Sequence, residues 1–544
     1  MMQIVIPMSG YGERFRREGY KVPKPLIKIN NRYMIEYVVK MFDKKSQIIF
    51  ICNNNHLNNK NLNMRKILKE IAPKSKVIGI SPHKLGPVYA VLKAQNFINI
   101  NLPTIVNYSD FTCYWDFKKF KDIITKKESN IDGAIPCYKN FHPHTIWSNY
   151  YAYVKLNNLN EVIDIREKKP FTKFPVNEYA SSGTYFFKDG YTMLKYFKKT
   201  VSLKLKVKNE YYASMSYKPM IKDKKKIIVH HLKHFMQWGT PTDLKDYLYW
   251  SKCFDLLQKD RNILKLPGYT ILPMAGKGSR FVKVGYKTPK PLILVSGKKM
   301  IEQALNDLPI TDYNRIIIRE TNSKKNHNTN SLLSSIRKKT QLIKLKRITN
   351  GQASTCLSGV KGIDKNTCVT FGACDNGMIY NNKKFLNLFN DNDVDIIVWA
   401  IRGYPSAFRQ PNMYGWIKTY KDSDKINYVS VKQPIHDPNI DPIIIGTFTF
   451  KKLNYFLKSF LELKKNKGKI NNEYYLDSCI NEAINLKYNC YIFEVDSFLC
   501  WGTPNELNTF EYWQSCFDKW KLHKYKIDKD QRVNLKNFSN KFYE

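Results

Sequence analysis

One stretch is written twice in this chain, and the duplication limits what it can fold into more than any other feature. Ile4-Val-Ile-Pro-Met-Ser-Gly-Tyr-Gly-Glu-Arg-Phe15 leads to Pro23-Lys-Pro-Leu-Ile27. Ile271-Leu-Pro-Met-Ala-Gly-Lys-Gly-Ser-Arg-Phe281 leads to Pro289-Lys-Pro-Leu-Ile293. The echo continues in order. Asp110 recurs as Asp375, Gly183-Thr-Tyr as Gly446-Thr-Phe, Glu210-Tyr-Tyr as Glu473-Tyr-Tyr, and Trp238-Gly-Thr-Pro as Trp501-Gly-Thr-Pro. The offset drifts only from 266 (Gly10 to Gly276) to 263 (Trp238 to Trp501). A period of that size is a duplicated domain, not a short solenoid repeat. The expected division is a first domain over 1–255, a linker over 256–268, a second domain over 269–515 and a basic tail over 516–544.

Within each half, apolar runs alternate with helical patterns. Gln3–Pro7, Gln47–Cys52, Lys76–Ile80 and Thr104–Val106 read as strands. Tyr33–Phe42, Leu62–Ile71 and the segment opening at Gly86 read as helices. Such alternation predicts an α/β fold with a mainly parallel sheet and helices on both faces. Ligands of such sheets sit at the carboxyl ends of the strands, where the glycine loop and Asp110 both fall.

Composition narrows the functional classes. A hydrophobic content of 43% belongs to a globular chain. The net charge of +44 comes from lysines spread throughout, without an arginine-rich arm or basic helix, so no specific nucleic-acid partner is expected. Eleven cysteines without a Cys-x-x-Cys point to reduced thiols and a cytoplasmic setting. No signal peptide or membrane-inserting segment is expected. His230, His231 and His234 lie in a lysine-rich stretch and are expected on a solvated face, not around a metal.

A strand opening into a glycine loop that carries cations is a device for holding phosphates. Read singly, Gly10 and Gly12 would be turn glycines, Lys24 a surface lysine and Asp110 a helix cap. Read together and twice, Gly-x-Gly-x-Arg-Phe with Pro-Lys-Pro-Leu-Ile, a later Asp and a late Gly-Thr-Pro resemble the signature of sugar-1-phosphate nucleotidyltransferases, the NDP-sugar pyrophosphorylases. The resemblance covers nearly the whole of both halves. It implies two tandem Rossmann-like nucleotidyltransferase domains, each a mixed, mainly parallel sheet flanked by helices. It also implies an Mg²⁺-dependent reaction of an NTP with a sugar 1-phosphate to give an NDP-sugar and pyrophosphate, for glycan or surface-polymer synthesis. Gly10, Gly12 and Gly86, with Gly276, Gly278 and Gly351, would face the nucleotide. Arg14, Lys24, Arg280 and Lys290 would be catalytic, Asp110 and Asp375 would hold the metal, and Lys168 and Lys432 would hold the sugar phosphate.

The sequence departs from that pattern at two places. Gln237 and Cys500 stand where many members carry a second metal-binding Asp, and Val431 stands where the first half has Glu167. A single working domain with a regulatory copy, or a glycosyltransferase on a related sheet, would be the competing readings. Neither half supplies the Asp-x-Asp that the latter usually needs.

Overall fold

A computed structural model describes residues 1–126, 130–146, 150–260, 262–320 and 340–543. The chain forms two compact units, Met1–Leu248 and Tyr249–Glu544, with the boundary inside the helix Pro241–Leu257.

The sheet of the first unit is built around Gln3–Met8, which pairs in parallel with Gln47–Asn53 on one side and Thr104–Asn107 on the other. Lys76–Ile80 extends it in parallel beyond Gln47–Asn53. Past Thr104–Asn107 the sheet turns antiparallel through Thr184–Phe187, Gly133–Tyr138, Tyr179–Ser181, Ala152–Leu156 and Val162–Glu167. Strand residues alternate between two cores. Ile4, Ile6 and Phe50 pack into one cluster, Val5, Ile49 and Ile51 into the other. This period of two, with both faces buried, is why the strands read as continuous apolar runs.

The second unit repeats the plan. Tyr269–Met274 is central, flanked in parallel by Tyr313–Arg319 and Val369–Phe371. Ile443–Phe450, Ile396–Ile401 and Cys490–Glu494 continue the sheet. Each unit also carries a short antiparallel ribbon starting just after its repeated aspartate. Phe111–Tyr114 pairs with His234–Gln237, and Asn376–Ile379 with Ser497–Cys500. The expected α/β class is the one observed. Among the described residues no helix is long and apolar enough to cross a membrane.

Residues 516–543 have no counterpart in the first unit, and they pack onto the second. The guanidinium of buried Arg532 donates from Nε and Nη2 to Asp307 Oδ1 at 3.2 and 3.0 Å, while Asp307 Oδ2 accepts the Met378 N–H at 2.7 Å. The C-terminal segment thereby braces the ribbon that begins after Asp375. Removing one partner of a buried pair leaves an uncompensated charge. Arg532→Ala is expected to destabilise the second unit by about 3–5 kcal/mol, with the first unit's transition unmoved in urea unfolding followed by domain-resolved hydrogen exchange.

Of the three histidines only His231 is exposed as expected; His230 is half-buried and His234 is buried. The His234 ring lies 6.1 Å from that of Tyr114, beside an aromatic cluster in which Phe235 stacks on Tyr138 at 4.7 Å and His142 lies 4.5 Å from Tyr138. His230 packs against Phe120 and Trp115. The run alternates along two strands whose apolar partners lie far away in sequence, which a local lysine-rich composition conceals. Among the described residues no group of three metal-binding side chains occurs. Burial pushes His142 well below its ordinary pKa, His230 down to about 4, and His231 down as well. Folded values below the unfolded value of about 6.5 mean that the unfolded chain takes up protons first. Their contribution is therefore complete above about pH 6.5 and declines as pH falls toward 4. Thermal melts between pH 7.5 and 4.5 should show the first unit losing stability in that window, and His142→Phe should flatten part of the slope.

Candidate active site

The loop after Gln3–Met8 closes into the short helix Glu13–Arg17 through Gly12, whose φ is +64°. Gly278 repeats this at +60° before Ser279–Lys283. Prolines on either side hold Lys24 in a single 3₁₀ turn, which aims its side chain back under the loop. There the Lys24 ammonium donates to Asp110 Oδ2 at 2.6 Å and to the Gly239 carbonyl at 3.0 Å. Lys290 donates to Asp375 Oδ2 at 2.5 Å. Burial by itself would lower the pKa of Lys290, but Asp375 and its neighbours outweigh burial and raise it. The Trp-Gly-Thr-Pro segment thus supplies a carbonyl partner to Lys24 in the first unit. Its tryptophan N–H donates to the aspartate's own carbonyl at 2.9 Å in both units.

Gly86 and Gly351 have φ of +86° and +103° and precede the helices Pro87–Lys93 and Gln352–Gly359. Their packing shows a second need for glycine. A Cβ on Gly86 would lie 2.8 Å from the Tyr211 nitrogen, and one on Gly351 would lie 2.6 Å from that of Tyr474. The backbones are laced together there. Tyr211 N–H donates to Leu85, Val88 N–H donates to Tyr211, and Tyr474 N–H and Ala353 N–H make the same pair with Asn350 and Tyr474.

That strut leads to the far end of the site. Lys168 and Lys432 both adopt left-handed backbone conformations, φ +58° and +61°. Their N–H groups donate to the carbonyls of Tyr151 and Tyr414. Each ammonium then donates to a tyrosine hydroxyl. Lys168 meets Tyr212, and Lys432 meets Tyr475 at 2.7 Å. Tyr212 in turn donates to Glu210. Glu167 accepts from the Ser214 hydroxyl at 2.6 Å, and burial raises its pKa to about 7. The roles of Glu210 and Tyr212 were not read from the sequence, although the recurrence of Glu-Tyr-Tyr was the available signal.

In the first unit these parts line one cleft of about 840 Å³, which includes Gly10, Gly12, Arg14, Lys24, Gly86, Asp110, Lys168, Glu210 and Gln237. Arg14 is exposed at its rim, its guanidinium 5.2 Å from the Tyr150 ring. The second unit has a cleft of about 630 Å³ that gathers Gly276, Gly278, Lys290, Gly351, Asp375 and Glu473. Its lining does not reach Lys432 or Arg280, and Arg280 instead approaches the Met413 sulfur at 3.8 Å. Asp496 is exposed in the turn between Cys490–Glu494 and Ser497–Cys500 and is not part of this cleft.

Matching the chain to family profiles gives one family, the nucleotidyl transferases, over residues 4–246 and again over 270–494. The chain belongs to this family. It is a nucleotidyltransferase with two tandem family domains. No curated protein matches its sequence. Solved structures similar to it include a nucleoside-diphosphate-sugar pyrophosphorylase from Vibrio cholerae RC9, at 20% identity over 44% of this chain and 98% of that one, with a TM-score of 0.37. A UTP-bound UGPase from Acinetobacter baumannii is 18% identical over 45% and 90%, TM-score 0.35. An inositol-1-phosphate CTP transferase from T. maritima is 13% identical over 47% and 96%, TM-score 0.36.

Because the glycine strut ties the loop side of the nucleotidyltransferase cleft to Glu473–Tyr475, a methyl group at 351 has to push two backbones apart. Gly351→Ala is expected to destabilise the second unit by about 2–4 kcal/mol, from the left-handed φ and the backbone clash together. Chemical denaturation of the variant against the wild-type chain checks this.

Proposed function

We propose that this chain transfers a nucleotidyl group from an NTP to a sugar 1-phosphate, or a similar phosphorylated small molecule, with release of pyrophosphate. The product would be an activated precursor for glycan or surface-polymer synthesis. The observation that carries the reading is the distance-spanning arrangement repeated in both units. A lysine–aspartate pair lies under a glycine loop at one end, and a lysine–tyrosine pair lies at the other, with the glycine strut between them.

The attacking group in such a reaction is a phosphate oxygen, anionic near neutral pH because a phosphate monoester's second pKa is about 6. No general base is needed. The work is to bring two anions together in line and to stabilise a departing pyrophosphate. Loop N–H groups after Gly10 and Gly276 would bind phosphate oxygens. Arg14 offers a planar fork from the rim. Lys24 and Lys290 bring a charge whose direction is fixed by two prolines. Lys168 and Lys432 would hold the phosphate of the acceptor.

The residues fit a divalent ion of the magnesium kind. Asp110 and Asp375 are partly exposed carboxylates beside the loop, and magnesium commonly takes one or two carboxylates with substrate phosphates and water completing its shell. Bound there, Mg²⁺ would neutralise phosphate charge as it develops. Gln237 lines the first cleft but adds no charge, so Asp110 would be the only carboxylate contributed from this pair of positions. Asp110 would hold the ion, and Lys24, also anchored by the Gly239 carbonyl, would offer its ammonium to the nucleotide's phosphates.

Pyrophosphate release across a matrix of the four ribonucleotides and dTTP against sugar 1-phosphates and phosphocholine tests the reading. Asp110→Asn and Asp375→Asn, made separately, should each reduce release by the corresponding unit about 100-fold or more. Lys24→Ala should cost the first unit about 10²–10³-fold, the usual effect of losing one preorganised charge. Release from no pair would refute the function, and two silent aspartate variants would refute the metal assignment.

A further inference from the structure

Superposing the two units by their repeat isolates three coupled exchanges at the acceptor end. The first unit has Ala152, Glu167 and Ser214. The second has Gly415, Val431 and Asp477 at the matching positions. Ala152 pairs with Glu167 across two antiparallel strands, and Gly415 pairs with Val431 in the same register. Directly opposed residues of such strands point to one face. In the first unit that face is the cleft, since Ala152, Glu167 and Lys168 all line it.

The carboxylate has not been lost from the second unit. It has moved. Asp477 lies in the first turn of the helix Leu476–Asn485, where Ser214 stands in the first unit, and its Oδ2 occupies the space of the missing methyl group. A Cβ on Gly415 would lie 2.2 Å from Asp477 Oδ2. Alanine at 415 and aspartate at 477 in this position therefore exclude each other, which explains why all three sites changed together. Asp477 is half-buried, feels the charge of Lys432, and sits two residues after Tyr475, the partner of that lysine. Burial raises its carboxyl to about 6, so it is mainly ionised at neutral pH and accepts hydrogen bonds.

The surroundings changed in the same direction. Tyr108, Ser181 and Tyr185 near Glu167 become Ala373, Ile444 and Phe448. The first unit's wall is rich in hydroxyls around a strand-borne carboxylate. In the second unit Ile444 and Phe448 are buried in the apolar core, and the carboxylate comes from the helix that packs on Gly415. Asp477, like Lys432, lies outside the lining of the cleft of about 630 Å³.

We propose that Asp477 is the acceptor-binding carboxylate of the second unit, and that the two units take different phosphorylated acceptors. The inference rests on the nucleotidyl-transfer reading above. The first unit suits a phosphate monoester bearing several hydroxyl groups. The second suits a less hydroxylated phosphate monoester whose hydrogen-bond donor meets Asp477 while Lys432 holds the phosphate.

The test uses the full chain in two backgrounds. The Asp110→Asn chain, which also carries Lys168→Ala so that the first unit neither turns over nor holds an acceptor, reads the second unit. The Asp375→Asn chain, which also carries Lys432→Ala, reads the first. Acceptor binding is followed by calorimetry with a panel of sugar 1-phosphates, polyol phosphates and phosphocholine, alongside pyrophosphate release. The expected result is a different acceptor ranking in the two backgrounds. Adding Asp477→Asn to the Asp110→Asn chain should weaken the second unit's best acceptor about tenfold or more and leave NTP affinity unchanged. The triple exchange Gly415→Ala, Val431→Glu, Asp477→Ser should shift its ranking toward that of the first unit. Identical rankings, no acceptor binding to the Asp110→Asn chain, or an Asp477→Asn variant with unchanged acceptor affinity would each overturn the inference. If acceptors bind as expected but no pair releases pyrophosphate, the catalytic reading falls while the placement of Asp477 stands.

Discussion

Both units depend on an ion pair made between segments that meet only through the fold. Lys24 comes from the turn after the glycine loop, and Asp110 from just past the end of Thr104–Asn107, the strand next to Gln3–Met8 in the sheet. The Gly239 carbonyl that shares the ammonium lies near the end of the unit. Three parts of the chain thus converge on one charge. The pair is only partly exposed, with side-chain exposures of 18% and 27%, so each partner needs the other in the absence of substrate. A phosphate-binding site must keep cations ready without letting them scatter or collapse into the sheet. On the proposed reading, pairing the lysine with the carboxylate would meet that demand, with the Gly239 carbonyl as a second anchor for the ammonium.

The second constraint is the distance between the two ends. Binding two anions in line is useful only if the groups that hold them keep their spacing. The close backbone approach at Gly86 and Tyr211, repeated at Gly351 and Tyr474, provides it. Hydrogen bonds in both directions make the loop side and the acceptor side one piece. The left-handed backbone of Lys168 and Lys432 costs on the order of 1 kcal/mol each for a non-glycine residue. Its recurrence at two lysines with φ within a few degrees indicates that the fold imposes it to turn both side chains onto their tyrosines.

Duplication made much of this legible in the sequence. Lys24 and Asp110 are unremarkable residues in so lysine-rich a chain, and the matching frame around Lys290 and Asp375 is what separated them from their neighbours. The parallel core was legible because both faces of Gln3–Met8 are buried, giving an unbroken apolar run. The contacts that were missed have no local pattern. The Gly239 carbonyl is a backbone group and leaves no trace in residue type. Tyr212 and Glu210 were seen as a repeat marker, but their link to Lys168 spans more than forty residues and depends on a left-handed turn. His230 and His234 were misjudged, while His231 is exposed as expected, because the aromatic partners of the first two come from segments far away in sequence. Asp477 could not be found by aligning motifs, since its position in the first unit holds a serine and the carboxylate there sits on another element.

What the two copies keep and what they change follows from the chemistry of the ligands. Phosphate groups are alike in every nucleotide and every phosphorylated acceptor. On the proposed reading the loop glycines, the prolines around each lysine, the aspartate and the lysine–tyrosine pair would face the same demand in both units, and they are the parts that recur. The rest of the acceptor has no fixed shape, and the residues around it are free to diverge. They do not diverge one at a time. Gly415 makes sense only with Asp477 in place, and Asp477 restores the charge that Val431 removes. A random loss of function would delete the carboxylate and leave alanine at the strand. Moving it, and clearing the space it needs, costs three substitutions that are of use only to a site still binding something. The brace from Arg532 to Asp307 points the same way. The second unit holds the ribbon beside Asp375 with a buried ion pair supplied by its C-terminal segment, and a segment maintained against that ribbon stabilises the neighbourhood of a carboxylate whose position matters only if the cleft above it is in use.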